Sequence, residues 1–269
     1  MFEAITWLYP QGRTRVVTFS YDDGRIYDRR VVEILNQYGM KGTFNLCSAL
    51  IQDKSEEKNY VCKEEVFALY QGHEVAVHTA HHPFLERMPI SQALQEVLED
   101  RRELEKLVGY PVIGMAYPFG SWDETVLLQL KAAGIRYSRT TANTPHFRLP
   151  QNWLTWGGSC HHGNAMEKMA DFKECRFPLA LFYIWGHSYE FNEENNWDLL
   201  EKICKELPKD DITWYATNGE IYRYVESMRQ LVLSADLHQV YNPTAQEIWY
   251  RKEASGEISS VKPGELKEV

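Results

Sequence analysis

Arg15-Val16-Val17-Thr18-Phe19-Ser20 is a short run of β-branched and aromatic residues that leads straight into Tyr21-Asp22-Asp23-Gly24. The run reads as a strand, and the Asp-Gly step as the turn that leaves it. Residues 28–38 follow as a helix, with Val31, Val32, Ile34 and Leu35 on the apolar side and Gly39 as its stop. A further strand at 41–46 completes a strand–helix–strand unit, the pattern of a parallel sheet. The alternation recurs down the chain. Strands are expected at 73–78, 112–117, 135–139, 179–185 and 211–217, with helices at 123–133, 196–207 and 220–233. A helix capped by Ser91 should run to Val108, and a short one should end near Gly72. Six or seven such units without a linker or internal repeat predict a single barrel-like α/β domain.

Residues 1–253 are assigned to this domain. After a last strand at 246–252, residues 254–269 form a polar Gly/Ser/Glu/Lys tail expected to fray. A polar insert at 52–59 reads as a surface loop. The segment 140–177, rich in Pro, Asn, Trp and His without periodicity, is long enough to suggest function rather than plain connection. The 29 Lys+Arg against 38 Asp+Glu give a net charge of −9, which argues against a nucleic-acid partner. With 44% hydrophobic and 25% charged residues the composition is that of an ordinary globular protein. No stretch reaches the ~20 apolar residues of a membrane-spanning helix. Met1 to Pro10 lacks a basic segment ahead of an apolar one, and the five cysteines are odd in number with no C-x-x-C pair. The expectation is therefore a cytoplasmic protein with free thiols.

Four clusters carry possible chemistry. Asp22 and Asp23 lie at the carboxyl end of a predicted strand, the rim where barrel folds place their reactive groups. Adjacent residues point in different directions, so one can bind a cation while the other stays free as a base; a turn cap before Gly24 is the competing reading. His78-Thr79-Ala80-His81-His82-Pro83 also follows a strand, and His78, His82 and Asp23 would give three metal ligands with an open fourth position. Ala116-Tyr117-Pro118-Phe119-Gly120 turns from strand to helix, where backbone N–H groups are free for a developing oxyanion. Trp185-Gly186-His187 ends the most apolar run and offers a candidate acid or base.

Together these residues resemble the polysaccharide deacetylase family, carbohydrate esterase family 4. The family's T-F-D-D-G resembles Thr18 to Gly24, with two extra residues before the Asp pair, and its H-[ST]-x-x-H-P matches His78 to Pro83. Tyr117 to Gly120 looks like its third motif, and His187 sits where its late catalytic His is expected. The resemblance spans about Val16 to His187 and implies a distorted, incomplete (β/α) barrel of about seven strands. It further implies that Asp23, His78 and His82 hold a divalent metal, Zn²⁺ or another such as Co²⁺, that acidifies a water. Asp22 would be the general base, His187 the general acid, and the Phe119 N–H an oxyanion donor. The implied activity is a metal-dependent hydrolase that removes an N-acetyl group from an amino sugar or oligosaccharide.

Two departures stand out. Ala116 occupies the position of the family's base-orienting Arg, and the family's fourth motif, an Asp with a Trp, has no match between Thr140 and Trp156. Tyr117, Trp122, Trp156, Trp185 and Tyr189 are candidates to stack on a sugar ring, and packing is the other use of such residues. His161 and His162 form a second pair, read as substrate contacts, an auxiliary metal position or hydrogen-bonding loop histidines. Alternatives are a non-sugar small amide as substrate and a catalytically silent carbohydrate-binding barrel. Two His and one carboxylate also describe a non-haem Fe(II) triad, although a second adjacent Asp has no evident use there.

Overall fold

The computed structural model describes residues 4–53 and 58–269. Residues 54–57 of the polar insert and the first three of the N-terminal stretch lie outside the described residues. In chain order the strands are β1 (Ile5–Leu8), β2 (Arg15–Asp23), β3 (Gly42–Leu46), β4 (Glu74–Val77), β5 (Gly114–Ala116), β6 (Tyr137–Asn143), β7 (Trp156–Gly158), β8 (Cys160–His161), β9 (Ala180–His187), β10 (Thr213–Tyr215), β11 (Val232–Leu233), β12 (Gln239–Tyr241), β13 (Ile248–Lys252), β14 (Ile258–Val261) and β15 (Leu266–Glu268). The helices are α1 (Asp28–Gln37), α2 (Val66–Leu69), α3 (Ile90–Val108), α4 (Glu124–Ala132), α5 (Ala165–Glu174), α6 (Ser188–Glu193), α7 (Trp197–Glu206) and α8 (Asn218–Arg229).

Eight strands run in the order β7-β6-β5-β4-β3-β2-β9-β8, and β10 pairs with the lower half of β2. All the pairings in this sheet are parallel, so every strand's carboxyl end opens on one rim. No ladder joins β7 to β8, which leaves the sheet an incomplete barrel, as the resemblance implied. Two smaller antiparallel sheets, β1-β13-β14 and β11-β12-β15, complete the fold.

β2 is the central strand, and its alternation explains the layers. Val17, Phe19 and Tyr21 face the larger apolar cluster shared with α1, α3 and α7. Thr18, Ser20 and Asp22 alternate with them, and polar neighbours line that face. Thr18 donates to Asn218 (2.9 Å), Asn218 donates to the Tyr183 hydroxyl (2.6 Å), and Asn45 donates to Ser20 (2.9 Å). These buried groups satisfy one another, as the low dielectric of an interior demands.

Several expected boundaries move. Ser91 is not the cap of α3; the helix starts at Ile90 after Pro89, whose fixed φ suits a helix entry. β6 runs on to Asn143, and α8 stops at Arg229, with Val232 and Leu233 forming a strand instead. The C-terminal segment does not fray. β14 pairs with β13 and β15 with β12, and Val261 packs with Val240 and Tyr250 in a small core. Its polar composition hid strands that bury a single side chain, Val261, and are held by pairing with β13 and β12. Among the described residues no helix is long and apolar enough to cross a membrane.

Candidate active site

β2 ends in Asp22-Asp23, β4 in the residue before His78, and β9 in His187, so parallel pairing alone delivers four of the expected groups to one rim. His78 Nε2 lies 3.5 Å and His82 Nε2 3.7 Å from Asp23 Oδ1. The His78 ring is held by Nδ1, which donates to the Ala116 carbonyl at 2.8 Å. That bond fixes the tautomer, leaving Nε2 with a bare lone pair aimed at Asp23, the arrangement a metal-ligating histidine needs. The chemistry of these three donors and the tautomer of His78 fit a divalent cation.

The rim is locally strained. Asp23 (φ 80°), Thr79 (66°), His82 (60°) and Phe119 (58°) are four of eight non-glycine residues with positive φ among the described residues. Each such conformation costs about 1–3 kcal/mol, and their concentration at one site marks geometry imposed by the surrounding fold. In the turn after β5, the Gly120 and Ser121 N–H groups bond to the Tyr117 and Pro118 carbonyls (2.9 and 3.1 Å). The Phe119 N–H stands outside those turn bonds. Its ring stacks on Phe84 (3.8 Å between centroids) and meets His82 edge-on.

Asp22 is buried, and the missing arginine is beside it. Arg139, on β6, donates through Nη2 to Asp22 Oδ2, while Asn45 on β3 donates to Oδ1 at 2.8 Å. In the parallel ladder Arg139 is the register partner of Ala116. The guanidinium therefore arrives one strand over from where the family pattern puts it. Trp185 stacks on it, with the guanidinium carbon 4.7 Å from the ring centroid, and Trp185 Nε1 is anchored on Asn143 (2.9 Å). Burial alone would push the Asp22 carboxyl up, but Arg139, then His78 and His187, outweigh it and hold it below the usual carboxylate range. Asp22 is thus held in its ionised form.

His187 faces Asp22 from the neighbouring strand, its register partner in the ladder, with Nε2 3.9 Å from Asp22 Oδ2. Its other nitrogen, Nδ1, lies 3.2 Å from Glu190 Oε1, and its backbone N–H donates to Glu190 Oε2 at 3.0 Å. Burial works against a charged His187, yet Glu190 and then Asp22 more than offset it and raise its pKa. Neither Arg139, Asn45 nor Glu190 was singled out from the sequence. Arg139 and Asn45 are found only by pairing strands in register; Glu190 had a local signal, three residues after His187 at a helix start.

Not every residue proposed for substrate contact reaches the rim with its side chain. Trp156 is 1% exposed, packed edge-on against Tyr137, Trp153 and Tyr183. Tyr117 is also 1% exposed and donates its hydroxyl to the Leu154 carbonyl. His162 is 2% exposed and stacks on Phe191, and Trp185 is committed to Arg139. Trp156 and Trp185 are turned into the wall by their strands, and Tyr117 and His162 by the turns that follow β5 and β8. Trp122 is exposed, Tyr189 is half-buried between Arg25 and His187, and His161 is half-buried.

Residues 10–138 match the family model described as polysaccharide deacetylase, a segment that ends one residue before Arg139. The chain is 24% identical over 119 residues, 44% of its length, to the peptidoglycan-N-acetylmuramic acid deacetylase of Bacillus subtilis, and covers 24% of that protein. It is 29% identical over 125 residues, 45% of its length, to the chitooligosaccharide deacetylase of a Bradyrhizobium species, and covers 54% of it. It thus spans a quarter to about half of the curated relatives it matches. A solved structure from Mycobacterium smegmatis, assigned to the polysaccharide deacetylases, aligns with a TM-score of 0.66 over 85% of this chain and 95% of that one at 14% identity, which speaks for the fold. Motifs in register, relatives and fold agree: over residues 10–138 the chain is similar to the polysaccharide deacetylase family.

Proposed function

We propose that this protein is a metal-dependent hydrolase that removes the acetyl group from an N-acetylated amino sugar or oligosaccharide. One observation carries the reading: Asp22 Oδ2 lies 3.9 Å from both His78 Nε2 and His187 Nε2, between the ligand trio and the acid. A base there can take a proton from a nucleophile formed beside the cation, and the acid stands across from it. Asp23, His78 and His82 would hold the cation, with Zn²⁺ the best match to two imidazoles and one carboxylate. When bound, that ion supplies Lewis acidity to a water and to the amide carbonyl.

The chain's own groups supply the rest. Asp22, kept ionised and aimed by Arg139 and Asn45, accepts the water's proton. The Phe119 N–H faces the carbonyl oxygen as negative charge grows on it. His187 then gives its Nε2 proton to the departing nitrogen; an amine leaves readily where an amide anion does not. Trp122 and Tyr189 offer aromatic faces to a sugar ring at the rim.

The test is acetate release by the zinc-loaded protein from N-acetylglucosamine oligomers and from simple acetamides. Asp22→Asn should keep its zinc and lose activity by at least about 10²-fold, the scale of general-base catalysis. Turnover of acetamides without sugars would redirect the substrate assignment. A wild-type protein that binds zinc and releases no acetate from either class would make the barrel a silent binding module.

A further inference from the structure

His161 and His162, between β7 and α5, meet Glu190 of α6 at the rim to form a second His/His/carboxylate group, with ligand atoms within the same 4.8 Å as those of the first trio. His161 Nε2 is 3.0 Å and His162 Nε2 3.4 Å from Glu190 Oε2. By composition the two groups are alike. They differ in the other nitrogen of each ring.

In the first trio, Nδ1 of His78 donates to a carbonyl, which leaves Nε2 for a cation. In the second, Nδ1 of His161 accepts the Gly163 N–H (3.3 Å) at the start of a short 3₁₀ turn, so the proton must sit on Nε2. Nδ1 of His162 is buried with no hydrogen-bond partner among the described residues. It lies against the backbone of Gly186, where a Cβ would come within 2.1 Å of it. A cation on His162 Nε2 would force a proton onto that Nδ1, burying a donor with no acceptor at a cost of about 1–3 kcal/mol. A cation on His161 Nε2 would forfeit the Gly163 bond. Metal-ligating histidines almost always have an acceptor for their second nitrogen, and here neither does.

We infer that this cluster is a positioning device and not a second metal site: His161, as a neutral Nε2–H donor, fixes the Glu190 carboxylate that in turn holds His187. The chain of contacts is continuous. His161 donates to Glu190 Oε2, the same oxygen accepts the His187 N–H, and Oε1 faces His187 Nδ1. His162, wedged between Phe191 and Gly186, closes the carboxylate's inner side. Glu190 thereby has its own orienting donor, as Asp22 has Arg139. The inference builds on the proposed hydrolase reading, in which His187 is the acid.

Two measurements decide it. Long-range ¹H–¹⁵N NMR of the zinc-loaded protein should find His161 and His162 in the Nε2–H form, and zinc titration should give one equivalent per chain, abolished by Asp23→Ala and unchanged by His161→Ala. In acetate release, His161→Ala should lower kcat roughly 5- to 20-fold with KM unchanged. His161→Gln, whose amide nitrogen reaches the Nε2 position, should restore most of it. Two tight zinc equivalents with one lost in His161→Ala, an Nδ1–H tautomer at His161, or equal kcat in wild type and His161→Ala would overturn the inference. The tautomer and the stoichiometry are readable even if no acetate is released, so failure of the hydrolase reading is distinguishable from failure of this one.

Discussion

Arg139 and Asp22 are both buried and directly paired, and among the described residues neither has another oppositely charged partner as close. Truncating one member of such a pair typically costs about 3–5 kcal/mol, because the other charge is left buried alone. Arg139→Ala should therefore destabilise the fold and cut kcat by roughly 10²-fold, while Arg139→Lys should restore charge without the planar fork and recover only part of the rate. The pH profile separates the two effects. With Asp22 held low and His187 raised, the wild-type rate should be flat through neutrality and fall on the alkaline side as His187 loses its proton. Removing Arg139 lets burial dominate, so the acid limb should move to higher pH. An acid limb that stays in place would mean that Arg139 does not set the charge of Asp22. Asp22, Asp23, His78, His82 and His187 were legible because each lies within a few residues of a strand end with a recognisable spacing. Arg139 and Asn45 were not, because what qualifies them is a partner across a ladder and not a neighbour in the chain.

At the scale of elements, α3 does more than cover the sheet. Asp100, fully buried on it, accepts the Ser48 N–H (2.6 Å) and the His78 N–H (2.9 Å). One turn earlier, Glu96 accepts the His81 N–H and contacts the His81 ring through its carboxylate, while its carbonyl accepts the Ala80 N–H. The loop with two left-handed residues is thus held from below by one helix face, which is how its strain persists. Asp100→Ala should lower the melting temperature and weaken zinc binding together; zinc affinity that is unchanged would show the loop to be self-supporting. Asp28, at the start of α1, is the matching contact for α6: it accepts the Ser188 hydroxyl (2.5 Å) and the Tyr70 hydroxyl (2.7 Å). Burial first of all pushes its carboxyl up to about 7. An acid raised in the folded state takes up its proton there before it does in the unfolded chain. Its contribution to stability is then complete below about pH 4 and is lost as pH rises through about 7. Asp28→Asn should flatten that decline in a pH series of melting temperatures. The inward turn of Asp100 and Glu96 was not legible in the sequence, since periodicity reports which side of α3 is apolar and not which polar residues turn inward.

For the whole molecule, the sequence conveyed a barrel because its βα units are short and regular, and it showed β13 but concealed β12, β14 and β15 because those strands are only three or four residues long. Their anchoring is tertiary. β13 pairs along the whole of β1, and Ile258 on β14 lies so close to Gly12 that a Cβ there would come within 2.8 Å of it. Deleting 254–269 would remove β14 and β15 and open the small core of Val240, Tyr250 and Val261. The melting temperature should fall by several degrees with zinc affinity intact, because the two features sit on different sheets. Unchanged melting would return the segment to the status of a loose tail.

The ladder that sets Arg139 beside Ala116 also makes the guanidinium portable. Two positions at the same height on adjacent parallel strands face the same interior, so a side chain can be exchanged between them while its head group keeps its target. The reciprocal exchange, Ala116→Arg with Arg139→Ala, returns this chain to the family's usual spelling and should recover more activity than Arg139→Ala alone. Homologues could drift between the two spellings through an intermediate carrying both arginines, and a search tuned to one spelling would discard active members written in the other.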